Sequence, residues 1–275
     1  MDRDTWLSIR KTGIGSSDAA AIAGLSPFSS ALATYYKKIG EIPEEPESER
    51  MYWGTKLEPV IADAFAERTG FRVRRRNAIL QHPAYTFALA NLDRETRDSD
   101  GPAVLEIKNT SEWMADLWDG DTVPEQYAIQ VHHQLLVAGY THGYLCGLIG
   151  GNRLVWHRIE RDEEILQSLI EIEADFWLNH VVPRIPPAAD GSDASAEALK
   201  SVFGNRDPGK QTALPHDAAK IRDAYKAALK EEQEAEKRKK AAANQLRQML
   251  QDAEVGMVGD QVVATVSKAG RLMVK

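Results

Sequence analysis

The stretch Leu105-Glu106-Ile107-Lys108 sets an acid and an amine two residues apart in an apolar context. In a β-strand, side chains alternate between faces, so Glu106 and Lys108 share one face while Leu105 and Ile107 take the other. Upstream, Asp93 closes a second apolar run, Phe87-Ala88-Leu89-Ala90-Asn91-Leu92. The polar segment between them, Arg94 to Pro102, contains Asp100-Gly101, a favoured tight-turn pair. A hairpin over that turn brings Asp93 beside Glu106 and Lys108. Such a group can hold a divalent cation against a phosphodiester and direct a water at it, which is metal-dependent nuclease chemistry. A plainer reading stands beside it: a cross-strand ion pair on a solvated face.

The elements that must position these groups follow from periodicity. Leu57, Ile61, Ala64 and Phe65 recur at helical spacing and place Glu58 at the edge of a buried face, within reach of the sheet. Lys11 to Asp18, with Gly13, Gly15, Ser16 and Ser17, precedes an Ala-rich run. That composition fits a loop capping a helix, and equally a phosphate-binding loop near Arg10. A helix is expected over 31–39, an exposed acidic loop over 41–50, and a basic strand over 71–76. Trp113, Met114, Leu117 and Trp118 have helical spacing and are assigned to packing. The helix over 125–138 carries Tyr127, Val131 and Leu135 on one stripe and Gln126, Gln130 and Gln134 on a neighbouring one. His132 and His133 lie on the same helix, and without a Cys/His cage they read as packing or solvent-facing residues rather than ligands. Strands over 144–149 and 154–159 meet at Gly150-Gly151-Asn152, and a helix over 163–179 turns Ile165, Leu169, Ile172 and Phe176 inward. The order predicts an α/β fold with a central mixed sheet flanked by helices.

The 275 residues allow one large domain plus an extension. A single cysteine, Cys146, excludes an intrachain disulfide, suits a reducing compartment, and reads as a small core residue. No secretory leader and no membrane span are expected. The net charge of -7 argues against a general nucleic-acid coat but not against a nuclease, since clustered acids contribute to it and a nucleic acid meets only a local surface. Proline- and glycine-rich composition over 183–216 predicts a linker. Beyond it, a helix of ~50 Å at ~1.5 Å per residue and a terminal β-hairpin fill 217–275, an arm for docking or oligomerisation rather than a second catalytic unit.

Arg10, the Gly13-to-Ser17 loop, Trp53-Gly54-x-x-Leu57-Glu58-Pro59, Ala90-Asn91-Leu92-Asp93, Leu105-Glu106-Ile107-Lys108 and Gln130-Val131-x-x-Gln134 occur in that order. Together they resemble the YqaJ-like viral recombinase family, relatives of phage lambda exonuclease within the PD-(D/E)xK superfamily, over roughly residues 6–180. One departure is Asn91-Leu92 where some members have a proline before the Asp. The resemblance implies a restriction-endonuclease-like nuclease core over 1–182. It implies that Glu58, Asp93, Glu106 and the carbonyl of Ile107 bind Mg²⁺, with Mn²⁺ able to substitute, and that Lys108 orients or activates water with Gln130 beside it. Arg10, Ser16, Ser17 and Asn91 would hold DNA and its terminal 5′-phosphate. Further implications are 5′-to-3′ digestion of double-stranded DNA ends for phage recombination, a trimeric ring, a single-strand annealing partner, and action in the bacterial cytoplasm from a phage or prophage gene.

Two carboxylates ~4 Å apart repel by about 4 kcal/mol at an effective dielectric of ~20, so three at one point require a cation or protons. An endonuclease of the same superfamily, and a non-catalytic DNA-end-binding module, remain open at this level.

Overall fold

The computed structural model describes residues 3–43 and 48–275. Four helices open the chain: α1 (Arg3–Arg10), α2 (Ser16–Ile22), α3 (Ala31–Ile39) and α4 (Glu49–Thr69). Five strands follow, β1 (Arg72–Arg74), β2 (Ile79–Gln81), β3 (Leu89–Asn91), β4 (Arg94–Asp98) and β5 (Gly101–Thr110). After a 3-10 segment over Glu112–Trp118 come α5 (Glu125–Ala138), β6 (His142–Ile149), β7 (Arg153–Glu160), α6 (Glu163–Asp175) with a π-helical continuation to Val181, and α7 (Asp193–Phe203).

The central sheet has the order β1-β4-β5-β6-β7. Only β5 and β6 run parallel, and α5 lies in the crossover between them, as a parallel pair requires. Alternation along β5 divides the core. Ala103, Leu105 and Ile107 pack with Ile61 and Phe65 of α4 on one side. Val104 on the other side joins Val131 and Leu135 of α5, with Tyr35 and Tyr36 of α3 and Leu166 of α6. Helices therefore cover both faces, as a mixed sheet with apolar residues on both sides demands. Cys146 is fully buried, and burial pushes its thiol pKa up to about 12, in keeping with a core residue.

Several local expectations change. The segment 94–98, expected as part of a polar connection, is a central strand with Arg94, Glu95 and Thr96 buried. It tolerates this because Arg94 binds Glu58 while Glu95 receives Arg74 at 2.6 Å and Arg76 at 3.1 Å. The hairpin turn is nevertheless at Asp100-Gly101, where Gly101 has φ 125°, a conformation costly for other residues. Helix α4 begins at Glu49, capped by Ser48, and passes through Pro59 without ending; residues 44–47 of the expected acidic loop lie outside the described residues. Of the tryptophans after β5, Trp118 is buried beneath β6, where a Cβ on Gly147 would meet its ring at 2.7 Å, but Trp113 is 95% exposed and packs on nothing. The inward stripe of α6 is Leu166, Leu169, Ile170 and Glu173, while Ile172 faces out.

The expected linker also needs correction. Within 183–216, α7 folds back onto α3, with Ser195 Oγ donating to the buried Ser30 Oγ at 2.9 Å, and the first compact unit extends to Arg206. Residues 207–275 form a second unit of α8 (Ala218–Leu250) and three strands, β8 (Val255–Val258), β9 (Gln261–Val266) and β10 (Leu272–Val274), in the order β10-β9-β8. One more strand than a hairpin is present. Leu250 at the end of α8 is buried against Gly256, whose missing side chain makes room for it. Among the described residues no helix is long and apolar enough to cross a membrane.

Candidate functional site: an acidic pocket at the end of two strands

Asp93 follows β3 and precedes β4, and its Oδ2 accepts a hydrogen bond from the backbone N–H of Ile107 at 2.9 Å. That bond ties it to β5 beside Glu106 and Lys108. Lys108 Nζ lies 2.5 Å from Glu106 Oε1 and 5.0 Å from the ring centre of Tyr127. Burial opposes the ammonium charge, but Glu106 and Asp93 more than offset this and raise the Lys108 pKa. Lys108 is therefore a cation here. Asp93 shows the converse: burial first, then the charge of Glu106, pushes its pKa up to about 8.

A cavity of about 180 Å³ opens over these groups, lined by Asp93, Glu106, Lys108 and Gln130 together with Arg10, Ser16, Ser17 and Asn91. The glycine-serine loop is fastened there by two backbone bonds, Ile14 N–H to Phe87 O at 2.6 Å and Leu89 N–H to Ile14 O at 2.8 Å. Gly13 permits that approach, since a Cβ would lie 2.4 Å from the Phe87 carbonyl oxygen. Asp18 stays out of the cavity chemistry by turning back to Gly15 N at 2.9 Å and Lys38 Nζ at 2.6 Å. Burial would raise its pKa, and Lys38 and Arg10 more than offset this and lower it. Arg10 reaches Ser17 Oγ at 3.4 Å.

Glu58 stands apart from this group. Its carboxylate is paired with the buried Arg94, and it does not border the cavity, although its charge contributes to the raised pKa of Asp93. Among the described residues no three Asp, Glu, His or Cys side chains converge in metal-binding geometry. The donors that do converge still suit a hard divalent cation: two neighbouring carboxylates, one of them driven toward protonation by burial and then by the other, are a charge balance that a cation resolves.

One residue absent from the catalytic and ligand assignments enters here. Gln134, 1% exposed, donates from Nε2 to Glu106 Oε2 at 2.6 Å and lies 3.4 Å from Ser16 Oγ. Its signal was the glutamine stripe on α5, one turn beyond Gln130. His133, also buried, bonds Glu173 at 2.6 Å and the Leu89 carbonyl at 2.8 Å, so it is a core residue buttressing β3. Burial works against its charge, but Glu173 more than offsets this and raises its pKa.

The fold around this pocket is that of the alkaline exonuclease LHK-Exo from Laribacter hongkongensis. That protein alone matches with a TM-score of 0.55 at 18% identity, and its complex with dAMP with 0.56 at 19%; each match covers 66% of this chain and 94% of the other. At the level of sequence, a model of the YqaJ-like viral recombinase domain matches residues 5–141. The YqaJ protein of Bacillus subtilis (strain 168) is 38% identical over 263 residues, covering 94% of this chain and 82% of that protein. The chain belongs to the YqaJ-like viral recombinase family.

Proposed function

We propose that this protein is a divalent-cation-dependent nuclease that hydrolyses linear double-stranded DNA from the 5′ end and leaves 3′ single strands for phage recombination. The observation that carries the reading is a single cavity lined by Asp93, Glu106 and Lys108 together with Arg10, Ser16 and Ser17. The first three suit a cation and a scissile phosphate, and the last three a terminal phosphate. Likeness in fold to the alkaline exonuclease LHK-Exo supports it.

In this reading Asp93, Glu106 and the Ile107 carbonyl would hold Mg²⁺ or Mn²⁺, with Glu58 a further ligand if freed from Arg94. The cation supplies charge neutralisation and a more acidic bound water. Lys108, already protonated, acts as a hydrogen-bond donor that orients the attacking water or a phosphate oxygen, rather than as a base. Gln130 steadies the scissile phosphate. Arg10 offers a guanidinium and Ser16 and Ser17 offer hydroxyls to the 5′-phosphate, with Asn91 at the rim. Family resemblance supports a ring-shaped homotrimer, a single-strand annealing partner, and a phage or prophage gene product working in the bacterial cytoplasm.

Digestion of 5′-phosphorylated and 5′-hydroxyl linear duplexes, with and without Mg²⁺, tests the reading. The 5′-phosphorylated duplex is degraded fastest and only with the cation, a covalently closed circle is spared, and K108A is inactive. Cleavage of the circle would assign an endonuclease instead. Undiminished digestion by K108A would overturn the mechanism.

A further inference from the structure

The basic strand singled out in the sequence takes no part in the pocket. Five arginines fall within residues 68–76, without one acid, in a chain of net charge -7. Four of them, Arg68, Arg72, Arg74 and Arg75, are exposed. Strand β1 is the outer strand of the central sheet, and its register sets Arg72 directly opposite Arg97 and Arg74 opposite Glu95. Like charges facing each other across a strand pair cost stability. Among the described residues no ion pair is made by the side chains of Arg72, Arg75 or Arg97, all exposed. Glu95 answers Arg74 and Arg76 together, one carboxylate for two guanidiniums.

The patch also has a definite position relative to the pocket. Glu95 is opposite Val104, and Val104 alternates with Glu106 and Lys108 along β5, so Arg72, Arg74 and Arg97 emerge on the face that carries the candidate site. A cleft of about 370 Å³ bordered by Pro59, Asp63, Arg74, Arg75 and Arg94 lies toward α4, on the other side of the sheet.

We propose that Arg72, Arg74, Arg75 and Arg97 form a docking surface for the phosphate backbone of duplex DNA beyond the reacting end; the proposal rests on the nuclease reading of the pocket. Duplex DNA carries about one negative charge per 1.7 Å, which rewards a row of guanidiniums. A single strand is the poorer fit, because base stacking needs free aromatic faces. Here Phe71 is packed against Phe65 and Tyr144, and the Tyr140 hydroxyl accepts a hydrogen bond from Arg76.

The test is equilibrium binding of a fluorescent blunt duplex to the full-length protein in chelator, where cleavage stops, across a salt titration. For R72Q/R97Q the slope of log K against log salt should shrink by about 2, close to 0.9 for each lost phosphate contact. Duplex affinity should fall further than affinity for a single strand of equal length. The melting temperature should hold or rise, since a like-charge pair has been removed. An unchanged slope overturns the proposal, and a lowered melting temperature with an unchanged slope marks the arginines as structural. If wild-type protein digests duplex while the variant keeps its slope, the patch fails and the nuclease reading stands. If the slope drops but wild type digests nothing, the surface stands and the nuclease reading fails.

Discussion

Gln134 donates a hydrogen bond to Glu106 across 2.6 Å from a position 28 residues further along the chain, and the same amide nitrogen lies 3.4 Å from Ser16. One buried side chain thus joins an acid and a loop that line the same cavity. It holds the acid that faces Lys108 and steadies the loop that faces the proposed 5′-phosphate. A neutral amide does this without adding charge to a pocket that already contains two carboxylates.

Replacing that amide by a carboxylate should be costly. Q134E is expected to fold, yet to lose activity about 10- to 100-fold, the range typical of residues that orient metal ligands. Initial rates on a linear duplex, with circular dichroism as the control for folding, check this. A near-wild-type rate would show that Glu106 keeps its position without Gln134.

The Arg94–Glu58 pair decides whether Glu58 is available to a cation. R94M in chelator should lose about 3 kcal/mol, because Glu58 is left uncompensated near two other acids. Mg²⁺ should return part of that loss in R94M and less in E58Q/R94M, where only Asp93 and Glu106 remain to bind it. Urea denaturation of each variant with and without Mg²⁺ measures both quantities.

His133 and Glu173 are fully buried and depend on each other. Removing one leaves the other unpaired in an apolar core. E173A should therefore cost about 3–5 kcal/mol, while H133L/E173L should recover most of the loss because apolar replacement of both partners is often neutral. A double-mutant cycle in urea gives the coupling.

Asp98 governs acid stability. Burial opposes its charge, but the Tyr144 hydroxyl at 2.5 Å, the Asp100 amide at 2.9 Å and His142 at 2.8 Å more than offset this and bring its pKa to about 2, below the usual 3.8. A depressed carboxyl pKa stabilises the fold above the unfolded value and ceases to do so as pH falls through the folded one. The contribution, about 2 kcal/mol, should be full above about pH 4 and gone below about pH 2. D98N should lack it throughout and show a flatter profile of urea midpoint against pH over that window.

Where apolar residues recur at a regular period, the sequence alone determined the structure: α3 and α5 have the limits their patterns set, and the β4–β5 hairpin turns at Asp100-Gly101. Spacing likewise identified Asp93, Glu106 and Lys108 as residues that one strand pair brings together. Periodicity reports only how apolar side chains find the core. A buried polar residue is stable when a partner distant in the chain satisfies it, and no local pattern encodes that partner. Hence only the tertiary structure placed Arg94–Asp98 in the middle of the sheet, put Glu173 in the core opposite His133, and joined Gln134 to Glu106. It also turned Glu58 toward Arg94.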